Sequence, residues 1–561
     1  MKDVKRKIIT IVCAVLAIAI GGIAAAEEIK ESRQAKEEKQ QEETAKEETA
    51  ANPDAEVKSG LTKEQEEIQE KIKATYQVDN QQAIADRLEE EKASGEYTAS
   101  DMLIEYNPFG TNTQSLYVYF ETEEPAAISY NVHVSDSDIG DFRRDVWQEE
   151  EYTTEHEFQM IGLIPDTDNT ITFYITEEDG STDTKEIVYE MGSLLGEEET
   201  VLKTKMDGEE EELSNGLYVI LGNDSDALDF MYYYDNQGVL RGEVPVIGYR
   251  SHRLLFRDQS MYYSISETQM ARMNPLGQIT AVYDLGTYKL HHDYVFDDNG
   301  NMLILATDTT QDSVEDIILR LDVNSGAVSE VLDLGDLFGR FKEERVKNDS
   351  GELNWIHINT IQWIGDGSVL LSSRETSSII KIDHIYDGPA VAYIIAEKAV
   401  WADTEYENQV LSKEGDFTIQ GGQHSITYVD DPSLADGQYY LYMFNNNIGY
   451  SATRPDFDWS ALGLTETSAT EGDTSYYYEY LVDENTGTFQ LTDSFKLPYS
   501  GYVSSVQNLD GNTIADSGTA GTFGEYDEDH HLIAQFEMQV EKYIYRVYKY
   551  DFDGFYFRAG K

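Results

Sequence analysis

From residue 203 onward the chain alternates short apolar runs with polar turns, and helical periodicity is almost absent. A loose unit recurs: an opening run, a turn containing Asp-Gly or Asn-Gly, an apolar strand, then a polar strand. HHDYVFDDNGNMLILAT from His291, HINTIQWIGDGSVLLSSR from His357, HSITYVDDPSLADGQYYLYMFN from His424 and VSSVQNLDGNTIADSG from Val503 are copies of it. Another opening falls at His252, and an earlier unit occupies 216–238. The pattern predicts about six units, and roughly 40 residues is one four-stranded blade. The fold class is therefore read as all-β, with a six-bladed β-propeller over 203–561.

Upstream the pattern changes three times. Between 98 and 192, short alternating runs at 115–121, 127–134, 156–164 and 170–176 are separated by Pro, Asp and Gly turns, which predicts a small β-sandwich. Residues 61–97 carry a thin apolar stripe at helical spacing (Leu61, Ile68, Ile72, Tyr76, Ile84, Leu88), expected to pack on the following domain. Residues 27–60 are rich in Glu, Lys, Ala and Gln with almost nothing to bury, the composition of a disordered acidic linker. Ahead of them Lys2, Lys5, Arg6 and Lys7 precede an apolar run ending in Ala24-Ala25-Ala26, so 1–26 reads as a signal peptide or membrane anchor. Either way the rest is expected outside the cell, anchored at the surface or secreted.

Composition narrows the chemistry. The 561 residues carry 42 Lys and Arg against 107 Asp and Glu, a formal charge of −65. Such a surface repels nucleic acid and anionic lipid, which leaves the N-terminal segment as the only expected membrane contact. It repels anionic substrates too, so an anion site must supply its own positive field. The only cysteine, Cys13, lies in the apolar run, so the exported part has no disulfide, no thiolate ligand and no thiol nucleophile.

Histidine is the informative residue. Of ten in the chain, His252, His291, His292, His357 and His424 all fall at unit openings. In a propeller the first strand of each blade lines the central channel, so these side chains converge. Two more, His133 and His156, read as ordinary strand residues. By strand alternation His357 shares a face with Asn359, and Arg374 closes the next run where a hairpin brings it back beside the imidazole. An imidazole, an amide and a guanidinium together suit an anionic sulfate or phosphate group. Three histidines also suit Zn²⁺, but the nearby arginine disfavours a cation, and no channel-facing carboxylate stands out beside Asp293. No metal and no cofactor are expected.

Five blocks in order carry a family likeness: YNPFGTNTQSLYVYF (106–120), HHD (291–293), WIHINT (355–360), LLSSR (370–374) and GQH (422–424). Over roughly 98–555 the chain resembles the bacterial aryl-sulfate sulfotransferases. The resemblance implies a six-bladed propeller behind a β-sandwich, an exported protein, and nucleotide-independent transfer of a sulfuryl group from a phenolic sulfate ester to another phenol through a sulfohistidine. It implies His424 as nucleophile, His357 and Arg374 as sulfuryl binders, and a further channel histidine that is either His292 or His252. His291 and Asn359 join the candidate binding residues. Two departures stand out: Glu375-Thr376 follows Arg374 where the family often has His-Gln, and the disulfide of some members is missing. Rival readings are a non-catalytic cell-surface propeller that only binds, and an aryl sulfatase-type hydrolase.

Overall fold

The computed structural model describes residues 61–558 apart from 136, 197, 223–227 and 465–473. The predicted apolar segment 1–26 and linker 27–60 lie outside the described residues. No helix among the described residues is long and apolar enough to cross a membrane.

Two helices, Lys63–Thr75 and Val78–Ser94, open the described chain. Thr62 caps the first with a reciprocal capping box to Gln65, satisfying two backbone donors at its start. Ile72 and Tyr76 are buried in a core shared with the domain that follows and with the first propeller-like sheets. The Tyr76 hydroxyl donates to the Pro245 carbonyl at 2.6 Å, and the Gln81 amide donates to the Phe109 carbonyl at 2.8 Å. The helices are thus bolted to the body by polar contacts as well as by the apolar stripe.

Residues 103–191 form one six-stranded antiparallel sheet. Two runs that the sequence separates, 115–121 and 127–134, belong to a single 19-residue strand, Ser115–His133. Its first half pairs with Leu103–Tyr106 and Thr153–Ile161, and its second half with Phe142–Asp145 and Thr167–Glu177. The register breaks between Glu121 and Ala126, around Pro125, which has no N–H to give a ladder. The strand therefore changes partners without ending, and both halves bury Leu116, Val118, Phe120, Ile128, Tyr130 and Val132 in one core.

Beyond this domain the described residues form six small sheets, of four or five strands each. Strands inside them, such as Asp229–Tyr234, Val369–Ser373 and Met302–Asp308, are almost entirely apolar or buried, because sheets flank both of their faces. Outer strands such as Thr488–Leu497 alternate between core and solvent. Gly365, Asp366 and Gly367 take positive φ in succession, as do Asp510 and Gly511, the latter joining a right-twisted hairpin in two residues. The opening strands of successive sheets, Tyr288–Phe296, Ile358–Trp363, His424–Val429 and Ser505–Leu509, pack against one another. The arrangement is propeller-like.

Closure uses both ends of this region. The opening strand of the first small sheet is the last strand of the chain, Val547–Tyr550, paired with Leu217–Ile220. The outermost strand of the last sheet is Lys203–Met206, paired with Leu532–Glu537. The unit read at 216–238 thus lacks an opening strand of its own, and the C-terminus supplies it.

Candidate functional site

His424 begins an opening strand, His357 and His252 lie just ahead of one, and His291 and His292 lie within one, but the backbone around them is not regular strand. His292 (φ 53°), His357 (φ 46°) and Ser425 (φ 54°) all adopt left-handed conformations. Non-glycine residues hold such conformations at a cost of order 1–3 kcal/mol, and packing must enforce them. Pairing also skips: the register shifts between Leu290 and Tyr294, Ile358 and Thr360, and His424 and Thr427. His291 to Asp293 are thereby bulged out of the ladder. The strand of the unit that opens at His357 begins only at Ile358.

This corrects the alternation argument at His357 and Asn359. Because His357 precedes the strand in a left-handed turn, the two side chains do different work. The Asn359 amide donates to the Gln423 carbonyl at 2.8 Å, tying this sheet to the residue before His424. The His357 Nδ1 meets Asn354 at 2.8 Å and lies against the Glu315 carboxylate. The hairpin does return as expected: the Arg374 backbone N–H donates to the His357 carbonyl at 3.0 Å. The Arg374 side chain, 11% exposed, has its Nη2 3.3 Å from Glu375. Glu375, one of the two residues that depart from the family pattern, is buried and accepts from Ser451 at 2.7 Å.

His424 is buried, with Nδ1 2.8 Å from the Asn446 Oδ1. Its amide partner comes from 22 residues downstream. The orientation of that amide is fixed independently, since its NH₂ donates to the carbonyls of Ser500 at 2.8 Å and Val503 at 3.2 Å. Its oxygen must therefore accept, the proton must sit on Nδ1, and the Nε2 lone pair of His424 is left for chemistry. Burial pushes this imidazole well below the usual histidine range, and the charges of His292, Arg374 and His357 push the same way. It stays neutral at physiological pH.

His292 packs on His357 with ring centroids 4.8 Å apart, and its Nε2 lies 3.5 Å from Glu315. Glu315 thus touches both imidazoles, and its carboxyl is held well below the ordinary range, burial being outweighed by His357 and His292. The Tyr545 hydroxyl sits 3.1 Å from His292 Nδ1 and 3.2 Å from His252 Nδ1, so it joins the two candidates for the third channel histidine. Of these, His292 is the one in contact with His357. His252 is fully buried, and burial lowers its pKa well below the usual range. His291 turns its ring edge to His292 at 5.2 Å, and burial lowers its pKa to about 3.

The local positive field demanded by a −65 chain is present. Arg250, 2% exposed, stacks on the Tyr545 ring at 3.8 Å and donates to the Tyr543 hydroxyl at 3.1 Å. Arg546 donates to the His252 carbonyl at 3.0 Å. Asp293 lies beneath, 3.0 Å from Arg253 and 3.4 Å from Arg546. Sequence reasoning missed Glu315, Asn446, Arg250 and Tyr545. The last became findable only once the C-terminal strand was placed in the first small sheet. His133 and His156 lie in the N-terminal domain, paired with Asp141 at 2.7 Å and Gln148 at 2.7 Å.

Residues 202–550 match the family model described as Arylsulfotransferase (ASST), and residues 103–192 match the Arylsulfotransferase Ig-like domain. No curated protein matches the chain. Among solved structures, similar ones include a protein of unknown function from Bacteroides caccae (9% identity, 60% of this chain and 98% of that one, TM-score 0.36). Others are a putative 6-phosphogluconolactonase from Bacteroides fragilis (11%, 76% and 98%, TM-score 0.32) and the WD40 domain of Toxoplasma gondii coronin (8%, 60% and 76%, TM-score 0.30).

Proposed function

Because the chain belongs to the arylsulfotransferase family, we propose that it moves a sulfuryl group between phenols by way of a sulfohistidine at His424. The observation that carries this is the amide of Asn446, whose two backbone acceptors force it to hold His424 in the tautomer with Nε2 unprotonated. The six small sheets are read as six blades whose openings surround the reacting group.

In the first half-reaction the Nε2 lone pair attacks sulfur, an S–N bond forms, and the S–O bond to the aryl oxygen breaks with its electron pair leaving on the phenolate. Negative charge spreads over the sulfuryl oxygens, so fixed donors and cations do most of the work. Arg374 supplies planar paired donors, and His357 and His292 supply N–H groups. The departing phenolate takes its proton from this histidine pair, whose two rings both meet the Glu315 carboxylate. In the second half-reaction an acceptor phenol returns that proton, its oxygen attacks sulfur, and the S–N bond breaks. His252 acts through the Tyr545 hydroxyl on His292, and Asn359 acts through the backbone before His424. Turnover requires neither a nucleotide nor a metal. The apolar segment 1–26 would carry the protein out of the cell.

With an aryl sulfate donor alone, the protein should release about one phenol per site and gain the mass of one sulfuryl group on the peptide around 421–428. Added phenol should restore continuous release, and His424→Asn should abolish the burst while the melting temperature holds. Release indifferent to acceptor would mean a hydrolase, and no release at all a binding protein. A label on His292 or His252 would remove His424 as nucleophile.

A further inference from the structure

The sequence argument set a metal aside because an arginine lies nearby and no carboxylate stood out beside Asp293. The structure brings one there. Glu315 enters from the hairpin between Met302–Asp308 and Ile317–Leu321, and only 13% of its side chain is exposed. With His291 and His292 it forms a cluster in which one ligand atom from each residue lies within 4.8 Å of the others.

We propose that His291, His292 and Glu315 form an inhibitory binding site for Zn²⁺. Two imidazoles and one carboxylate are a donor set that zinc takes, with a fourth position for water. Ligands about 2.1 Å from one tetrahedral ion lie roughly 3.4 Å apart, and His292 Nε2 is already 3.5 Å from Glu315 Oε1. His291 needs a side-chain adjustment of about an ångström to complete the set. Its ring is the independent sign of a ligand. Only 5% of the residue is exposed, and neither nitrogen completes a hydrogen bond of good geometry. The Ala306 carbonyl is near enough only to favour a ring proton. A buried imidazole without such partners costs free energy that a bound ion would recover. The remaining nitrogen of His292 lies on the Tyr545 hydroxyl, the kind of outer partner that orients ligating histidines.

Filling this site has a consequence for turnover. Glu315 cannot bind the ion and still engage His292 and His357 as it does now, and His292 would lose its N–H to the metal. Zinc should therefore switch the reaction off, and a chelator should raise the turnover of protein that carries zinc. The inhibition rests on the reading of the reaction given above; the binding does not.

The test is calorimetric titration of chelator-stripped full-length protein with Zn²⁺, with the visible absorption of bound Co²⁺ as a second readout of tetrahedral coordination. Wild type should bind one ion per chain, and turnover of an aryl sulfate should fall with the same midpoint. His291→Ala should weaken binding tenfold or more; His291→Gln, which fills the space without a second imidazole, guards against a variant that fails to fold. Absence of one-to-one binding, or binding equally tight in both variants, overturns the site. One-to-one binding with unaltered turnover overturns the inhibition. A protein that binds zinc yet never turns over aryl sulfate sustains the site and sinks the sulfotransferase reading instead.

Discussion

The tautomer argument at His424 can be broken by removing the polar atoms of Asn446. In Asn446→Leu the acceptor for His424 Nδ1 and both donors, to Ser500 and Val503, disappear together. A buried N–H left without an acceptor costs about 1–3 kcal/mol. The ring escapes that cost by moving its proton to Nε2, the atom that must attack. The population of the competent tautomer then falls by roughly 5- to 150-fold, since about 1.4 kcal/mol is a factor of ten. The rate of the phenol burst should fall by that factor, with little change in donor KM because the sulfuryl binders are untouched. The same loss of donors to Ser500 and Val503 would arise from Asn446→Asp, yet a carboxylate still accepts from Nδ1. Rapid-mixing measurement of the burst in both variants separates the two roles: Asp should keep most of the rate that Leu loses. Equal losses in the two would mean that Asn446 only supports the loop, and the tautomer reasoning would be refuted.

Three other outcomes are expected. Arg374→Lys should lower turnover on the order of 10²-fold, because an ammonium cannot replace two parallel guanidinium donors; near wild-type rates would place Arg374 away from sulfur. Glu315→Gln should slow donors with poorly leaving phenols more than nitrophenyl donors, since it removes the carboxylate that meets both proton-donating imidazoles; a uniform effect across a leaving-group series would contradict that role. Burial lowers His156 to about 4, so between pH 4 and 6.5 the unfolded chain binds a proton there that the folded chain does not. Its contribution to stability is therefore full above 6.5 and is lost as the pH falls, by about 1.4 kcal/mol per pH unit. His156→Gln should flatten the measured pH dependence of stability by that slope, and an unchanged slope would count against it.

The recurring turn-and-strand unit was readable because a strand flanked by sheets on both faces must be apolar, and a two-residue turn needs residues that tolerate positive φ. That is why the units at 291, 357 and 424 stand out. What the repeat could not convey was the closure: pairing of Val547–Tyr550 with Leu217–Ile220 joins residues more than 300 apart, with no local periodicity to announce it. The convergence of histidines at unit openings was legible, but their facing was not, because alternation presumes regular strand and His292 and His357 sit in left-handed bulges. Glu315 and Asn446 were invisible for a related reason. Both lie outside the opening strands and reach the histidines from neighbouring segments, and among 107 acidic residues a single functional one carries no mark.

The closing strand has a consequence for synthesis. Tyr545 and Arg546 precede Val547–Tyr550, and this segment both completes the first small sheet and links His252 to His292. A growing chain can assemble its middle sheets one after another, yet the reacting centre stays unfinished until Tyr545 to Tyr550 have been made. A chain that stops short of Tyr545 would lack both the strand that completes the first small sheet and the hydroxyl between His252 and His292.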